Sequence, residues 1–237
     1  MEIAFRSQTA TLVILLGANL AYAQDLNFPV RHDHLHNGGE EVLTYTEEIM
    51  RWQENKKPEH SRSWQYAEIQ RLELSPGHIR TLTYEDVRWQ LGRDREFRFD
   101  HLPPDLAARV HPFLTARLDQ RYLAHVADPS VKPVWELPAK LLLGRSGSNG
   151  SLKVAADQIV FDGGDHGESR TWKLSDITNV NSSNPFELTF TTIEGENRVQ
   201  LKAALANDRY QALWQTISRF HGLTVFGSTP VHEHSVQ

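Results

Sequence analysis

Residues 61–72 read SRSWQYAEIQRL, and residues 169–180 read SRTWKLSDITNV. Ser, Arg, Trp and Ile coincide at the first, second, fourth and ninth positions, while Ser/Thr, Glu/Asp and Leu/Val fill three more. A second pair of segments, FPVRHDHLHNGGEEVL (28–43) and LPAKLLLGRSGSNGSL (137–152), aligns without a gap at an offset of 109, against 108 for the first pair. Two remote segments that agree on almost one offset mark an internal duplication, and such a repeat limits the fold before any single element is assigned. The chain must be solved as one small topology written twice.

Within the second copy, SLKVAADQIVFDGGD reads as two short strands around a turn. SRTWKLSDITNV alternates at Trp172 and Leu174 and restarts at Ile177 after a Ser-Asp turn. PFELTFTTIEGENRVQLKAAL is a hairpin with Glu-Gly-Glu-Asn at its tip. The period then changes: Tyr210, Leu213, Trp214, Ile217 and Phe220 fall at helical spacing, with Asn207 or Asp208 available as N-cap. The first copy follows the same order, closing on a helical pattern at Leu106, Val110, Phe113, Leu114 and Leu118. Pro112 inside that run predicts a kink or a break into two short helices, since an interior proline costs about 3 kcal/mol. The expected fold class is mainly β. Two tandem units each form a strongly bent antiparallel barrel or sandwich of about seven strands, capped by a C-terminal amphipathic helix. Trp64, Ile69, Trp172, Leu174, Ile177 and Trp214 are its expected core positions.

The order G-x-L-x-V, Q-I-V-F, W-x-L-x-D-I-x-x-V, L-x-F, V-x-L and helix, read between Gly150 and Phe220, resembles the pleckstrin-homology (PH) superfold. It is nearest to the bacterial PH-like and GRAM-like branch. The first copy, with its H-x-H, SRSWQYAEIQRLEL, LTYED and FRF, is similar to exported bacterial proteins carrying such domains. The resemblance covers nearly all of the chain after residue 23, and it implies tandem PH-like units at 24–126 and 137–227. Its motifs are packing motifs, so they speak to fold rather than chemistry.

Residues 1–23 combine Arg6, the apolar run TLVILLGANL and the small-x-small sequence Ala21-Tyr22-Ala23. This is the pattern of a cleaved secretory signal, with Gln24 as the first mature residue. ADPSVKP and the residues after it (127–136) have the composition of a linker, and 228–237 that of a polar, flexible tail. The chain has no cysteine, which excludes disulfides, thiolate metal sites and a cysteine nucleophile. A net charge of −5 with no basic half argues against a nucleic-acid partner, whose phosphates require a positive field. No apolar stretch after the signal approaches the roughly 20 residues of a transmembrane helix.

Chemistry is carried by few residues. His32, His34 and His36 alternate in RHDHLHNGG, so on a strand their imidazoles share one face and suit Zn, Cu or Ni with an open position. Against this, His32 and His34 align with Leu141 and Leu143, ordinary inward positions of the other copy. Arg88, Arg93, Arg95 and Arg98 surround the hairpin turn LGRDRE, where guanidinium groups could hold a phosphate, a lipid headgroup or a carboxylate. Asp94 and Glu96 interleave them and blunt that field. GRSGSNG (144–150) lacks the Lys-Ser/Thr ending of a phosphate loop and leads into a strand, and Asn149 spoils the G-x-S-x-G elbow of hydrolases.

The sequence therefore leads us to expect a non-catalytic exported binding or scaffold protein without a required cofactor. It would recognise a protein segment or an anionic group by an exposed strand edge or the groove between units. A metal-binding protein or metal-dependent enzyme using the His cluster is the alternative. A small-ligand barrel fits poorly if helices carrying Trp214 and Phe220 fill the open ends.

Overall fold

The computed structural model describes residues 25–32, 41–87, 89–103, 105–118, 121–164 and 168–222. The chain is mainly β. The first half contributes β1 (Leu26–His32), β2 (Glu41–Tyr45), β3 (Ile49–Glu54), β4 (Arg62–Gln65), β5 (Ile69–Ser75), β6 (His78–Val87) and β7 (Gln90–Asp100), then α1 (Leu106–Thr115). A three-residue strand, β8 (Tyr122–Ala124), follows. The second half contributes β9 (Trp135–Leu143), β10 (Ser146–Val154), β11 (Gln158–Asp162), β12 (Arg170–Lys173), β13 (Asn179–Asn184), β14 (Glu187–Thr192) and β15 (Gly195–Leu201), then α2 (Asn207–Phe220).

Hydrogen bonds link all 15 strands in the order β13-β14-β15-β9-β10-β11-β12-β8-β5-β6-β7-β1-β2-β3-β4. Renumbered within its own half, each set of seven has the same order, and each is followed by one helix. The duplication read in the sequence is thus also a duplication of strand order. Alternation drives it: β2 buries Leu43 and Tyr45, β14 buries Leu188 and Phe190, and their polar neighbours face out. Two separate hydrophobic cores result. One is built around Trp52, Trp64, Phe97 and Phe99, the other around Leu141, Phe161, Trp172 and Phe190.

Several local expectations meet a different outcome. Of the kink or break expected at Pro112 the break does not occur, because the proline sits in a helix of only 10 residues whose Leu106, Val110, His111 and Leu114 are all held in the core. Burial on that side offsets the lost backbone bond. The N-cap of α2 is Ala206, one residue before the expected Asn207. Trp64, Ile69, Trp172, Leu174 and Ile177 are buried, but Trp214 is 37% exposed. The α2 stripe that packs is narrower than the sequence pattern: Leu213 and Ile217 are buried, while Phe220 is exposed with Trp214. Residues 127–136 are not a free connector throughout, since Asp128 is buried and β9 already begins at Trp135. Residues 1–23 and 228–237 lie outside the described residues.

Candidate functional site

The two halves meet through one borrowed strand. β8 lies parallel to β5, with Leu72 opposite Tyr122 and Leu74 opposite Ala124. The Leu72 N–H donates to the Arg121 carbonyl at 3.1 Å, and the His125 N–H donates to the Leu74 carbonyl at 2.8 Å. On its other side β8 is antiparallel to β12, with Ala124 opposite Thr171. Its side chains pack into the first core, where Tyr122, Ala124 and Val126 are buried. A strap that is hydrogen-bonded to a strand of each half and buried in the core of the first fixes both.

Side chains extend this ladder past the end of β8. The Thr171 hydroxyl donates to the Val126 carbonyl at 2.7 Å and accepts the Asp128 N–H at 3.0 Å. The Asp128 carboxylate, only 6% exposed as a residue, accepts from the Ser130 N–H and hydroxyl and from Gln158 Nε2, each within 2.8 Å. Burial pushes its pKa up, but these three donors and His111 outweigh it and hold the carboxyl below its ordinary value. Lys173 Nζ donates to the carbonyls of Thr115 and Leu118 at the end of α1. Cations favour a helix C-terminus, so this contact joins the second half to the α1 dipole. His125 stands between Glu194, 3.3 Å from Nε2, and Glu73, 3.7 Å from Nδ1, and Arg170 reaches the same Glu194 at 2.9 Å. Burial raises the Glu194 pKa, and His125 and Arg170 more than reverse this.

Two clefts are lined in part by the residues that follow β8. One of about 460 Å³ is lined by His111, Thr115, Asp128, Val131, Ala155 and Gln158. His111 is 1% exposed, and its Nδ1 has no hydrogen-bond partner among the described residues. Burial, helped by Lys173 and opposed by Asp128, lowers the His111 pKa and keeps the ring neutral near pH 7. The other cleft, about 710 Å³, is lined by Glu73, Ser75, His78, Arg80, His125 and Glu168. The buried Ser75 hydroxyl is likewise without a partner there.

The repeated motif now resolves residue by residue. Its first serine closes a hairpin in both copies: Ser61 Oγ accepts the Glu54 N–H and Ser169 Oγ the Gly163 N–H, both at 3.0 Å. Its arginine faces a hairpin glutamate, Arg62 with Glu85 at 3.9 Å and Arg170 with Glu194 at 2.9 Å. Those glutamates are themselves 109 positions apart in the chain. Its tryptophan packs on a phenylalanine, Trp64 tilted against Phe97 at 4.7 Å and Trp172 edge-on to Phe190 at 4.9 Å between ring centres. The third position separates the copies. Thr171 seats the strap, whereas Ser63 on β4 is exposed and its hydroxyl has no partner among the described residues.

His34, His36 and Arg88 lie outside the described residues, and of His32 the structure gives only its backbone place in β1, opposite Phe99. Among the described residues there is no cluster of three or more His, Asp or Glu that could hold a metal ion. Arg93 donates to Gln90 Oε1, Arg95 stacks on Phe97 near Glu85, and Arg98 pairs with Asp100. These three are engaged locally along β7 and do not converge. Sequence reasoning missed the strap, Asp128 and the seat at Thr171. The one available signal was the Ser/Thr position inside the repeat. No helix among the described residues is long and apolar enough to cross a membrane.

No protein-family model matches the chain, and no curated protein does. Solved structures similar to it include the C-terminal domain of an unknown protein from Leishmania infantum, at a TM-score of 0.31 and 14% identity over 47% of this chain and 94% of that one. The Spt16D Pob3N heterodimer is similar at a TM-score of 0.33 and 11% identity, over 72% of this chain and 84% of that one. Likeness at this level carries no functional argument.

Proposed function

We propose that this is an exported, non-catalytic binding or scaffold protein of two tandem PH-like units, which recognises an extended segment of another protein. The observation that supports it is β8: a short extended segment lies in hydrogen-bonded register against a sheet edge of each half. Strand addition uses the backbone for affinity and flanking side chains for selectivity, and both are present around the strap. The repeated strand order with a closing helix supports the PH-like assignment of each half. The apolar run ending in Ala21-Tyr22-Ala23 supports export.

A library of extended peptides, read by hydrogen exchange on the whole protein, tests this reading. Ligands that protect amides of an edge strand or of the residues lining the two clefts are the expected result. If the library yields no ligand that slows exchange anywhere in the sheet, the reading falls.

A further inference from the structure

We infer that the outer edge of β4 is a docking site for an extended protein segment, bound antiparallel and chemically similar to the chain's own residues 122–128. This rests on the segment-binding reading above and names its site and ligand. The inference comes from comparing equivalent edges of the two copies. In the second copy the edge of β12 is occupied, and its occupant is visible in full. Ala124 lies opposite Thr171, His125 reaches Glu194, the Val126 carbonyl accepts the Thr171 hydroxyl, and the Asp128 N–H donates to it. In the first copy the equivalent strand, β4, ends the sheet and has no strand on its outer side among the described residues. The hydroxyl, the carboxylate and the arginine of the seat are nevertheless there, while Ile49 stands where Gln158 holds the Asp128 carboxylate in the second copy. Ser63 supplies the hydroxyl at the Thr171 position, and Glu85 supplies the carboxylate at the Glu194 position with Arg62 beside it.

The occupant's chemistry follows from the occupied twin. Opposite Ser63 the segment needs a small residue, as Ala124 is. The next residue should be basic, to reach Glu85; the one after should be aliphatic, its carbonyl accepting from Ser63. Two residues further on, an N–H closes the ladder. Glu85 already accepts Trp64 Nε1 at 2.6 Å and lies 3.9 Å from Arg95, so the incoming base shares a carboxylate with these groups. A carboxylate offers about four acceptor positions, which leaves room for it.

The other end of the sheet is a poorer edge. β13 is polar, shifts register between Asn181 and Asn184, and its Val180 carbonyl already accepts the Tyr210 hydroxyl. A bulge is a device that prevents pairing at an edge. β4 shows no register shift against β3.

The test uses the full chain and a heptapeptide of the sequence Tyr-Leu-Ala-His-Val-Ala-Asp, blocked at both ends, titrated while backbone amide resonances are followed. The expected result is shifts centred on residues 62–65 and on their partners in β3. Ser63→Ala should weaken binding about tenfold to thirtyfold, the worth of the two hydrogen bonds its hydroxyl makes, while Ser63→Thr should keep or tighten it. Replacing His by Ala in the peptide should weaken it too. Because Ser63 is exposed, both variants should fold, and their unchanged spectra without peptide check this. Shifts at residues 170–173 alone would mean the peptide only displaces the strap, and would overturn the assignment. Binding confined to the clefts or to β13 would also overturn it while leaving the segment-binding reading intact. No shift at millimolar peptide would overturn the assignment as well, and the peptide library then decides the broader reading separately. Peptide-independent dimerisation that perturbs residues 62–65 would make a second copy the occupant and overturn the proposal of a distinct partner.

Discussion

The edges of β4 and β12 are two editions of one structure, and they differ in what lies against them. At β12 the Thr171 hydroxyl makes two hydrogen bonds to the strap and Arg170 is 2.9 Å from Glu194, yet the Trp172 indole N–H has no partner among the described residues. At β4 the Ser63 hydroxyl has no partner among the described residues and Arg62 is 3.9 Å from Glu85, while the Trp64 indole N–H donates to Glu85 at 2.6 Å. The glutamate has one more donor to satisfy where the edge is open and a histidine from the strap where it is closed. A duplicated fold has thus kept its core positions and divided its edges: one joins the halves, the other is left over.

The largest expected effects test the core that both copies share. Trp64→Ala and Trp172→Ala should each destabilise by about 3–5 kcal/mol, the usual cost of emptying a buried aromatic site. The sharper comparison is with phenylalanine. Trp64→Phe removes an N–H bonded to a carboxylate, whereas Trp172→Phe removes a buried N–H that has no partner. The Glu85 side chain is 37% exposed, so water recovers part of the loss and the difference between the variants should be about 1 kcal/mol. Denaturant midpoints of the two variants give it directly. Equal losses would mean that the two tryptophans are held alike and that the edges do not differ in this respect.

A smaller effect separates the edges themselves. Thr171→Val keeps shape and removes the hydroxyl that bridges Val126 and Asp128, and should cost about 1–3 kcal/mol with faster exchange of the Asp128 amide. Ser63→Ala, at an exposed side chain with no partner among the described residues, should stay within about 0.5 kcal/mol of the parent. If both substitutions cost the same, the hydroxyl of Thr171 is not what seats the strap.

Acid should open the strap before it opens either core. His111 has its pKa lowered from 6.5, chiefly by burial, so the unfolded chain binds a proton more readily than the folded one. Its contribution is complete above pH 6.5 and declines as pH falls from there through the folded value. Asp128 and Glu194 have pKa values lowered from 3.8 and 4.5, so their contributions persist above those values and are lost as pH falls through the folded ones. Hydrogen exchange of β8 amides should therefore accelerate in two stages on acidification, while the β14–β15 ladder stays protected. His111→Gln should remove the first stage only. Strap amides that hold until β14 and β15 open would overturn this.

These predictions turn on residues of very unequal visibility in the sequence. Trp64 and Trp172 were legible because strand alternation and the repeat give the same answer for them. The halves' common strand order was foreshadowed by the near-constant offset. The strap was not legible, for a physical reason: Tyr122–Ala124 is too short for alternation to register, and its pairing partners lie about 50 residues away on either side in sequence. Asp128, within a Pro- and Ser-containing run, carries every local sign of a connector. Its burial depends on Gln158 and Thr171 in the other half. Trp214 was misplaced because helical spacing marks a face without fixing how wide a stripe the sheet can cover.

The finest test concerns a single methyl group. The copies carry Ser63 and Thr171 at the same position, so the residue type itself could account for why one edge is filled. Thr171→Ser keeps both hydrogen bonds to the strap and loses only packing around Cγ2. It should cost about 0.5–1 kcal/mol, less than Thr171→Val, with β8 exchange almost unchanged. That outcome would mean a serine at this position is able to seat a strand, and that the open edge of β4 lacks an occupant rather than a seat. If Thr171→Ser instead releases β8 as fully as Thr171→Val does, the methyl is what holds the strap, and Ser63 marks an edge from which the docking function has been lost.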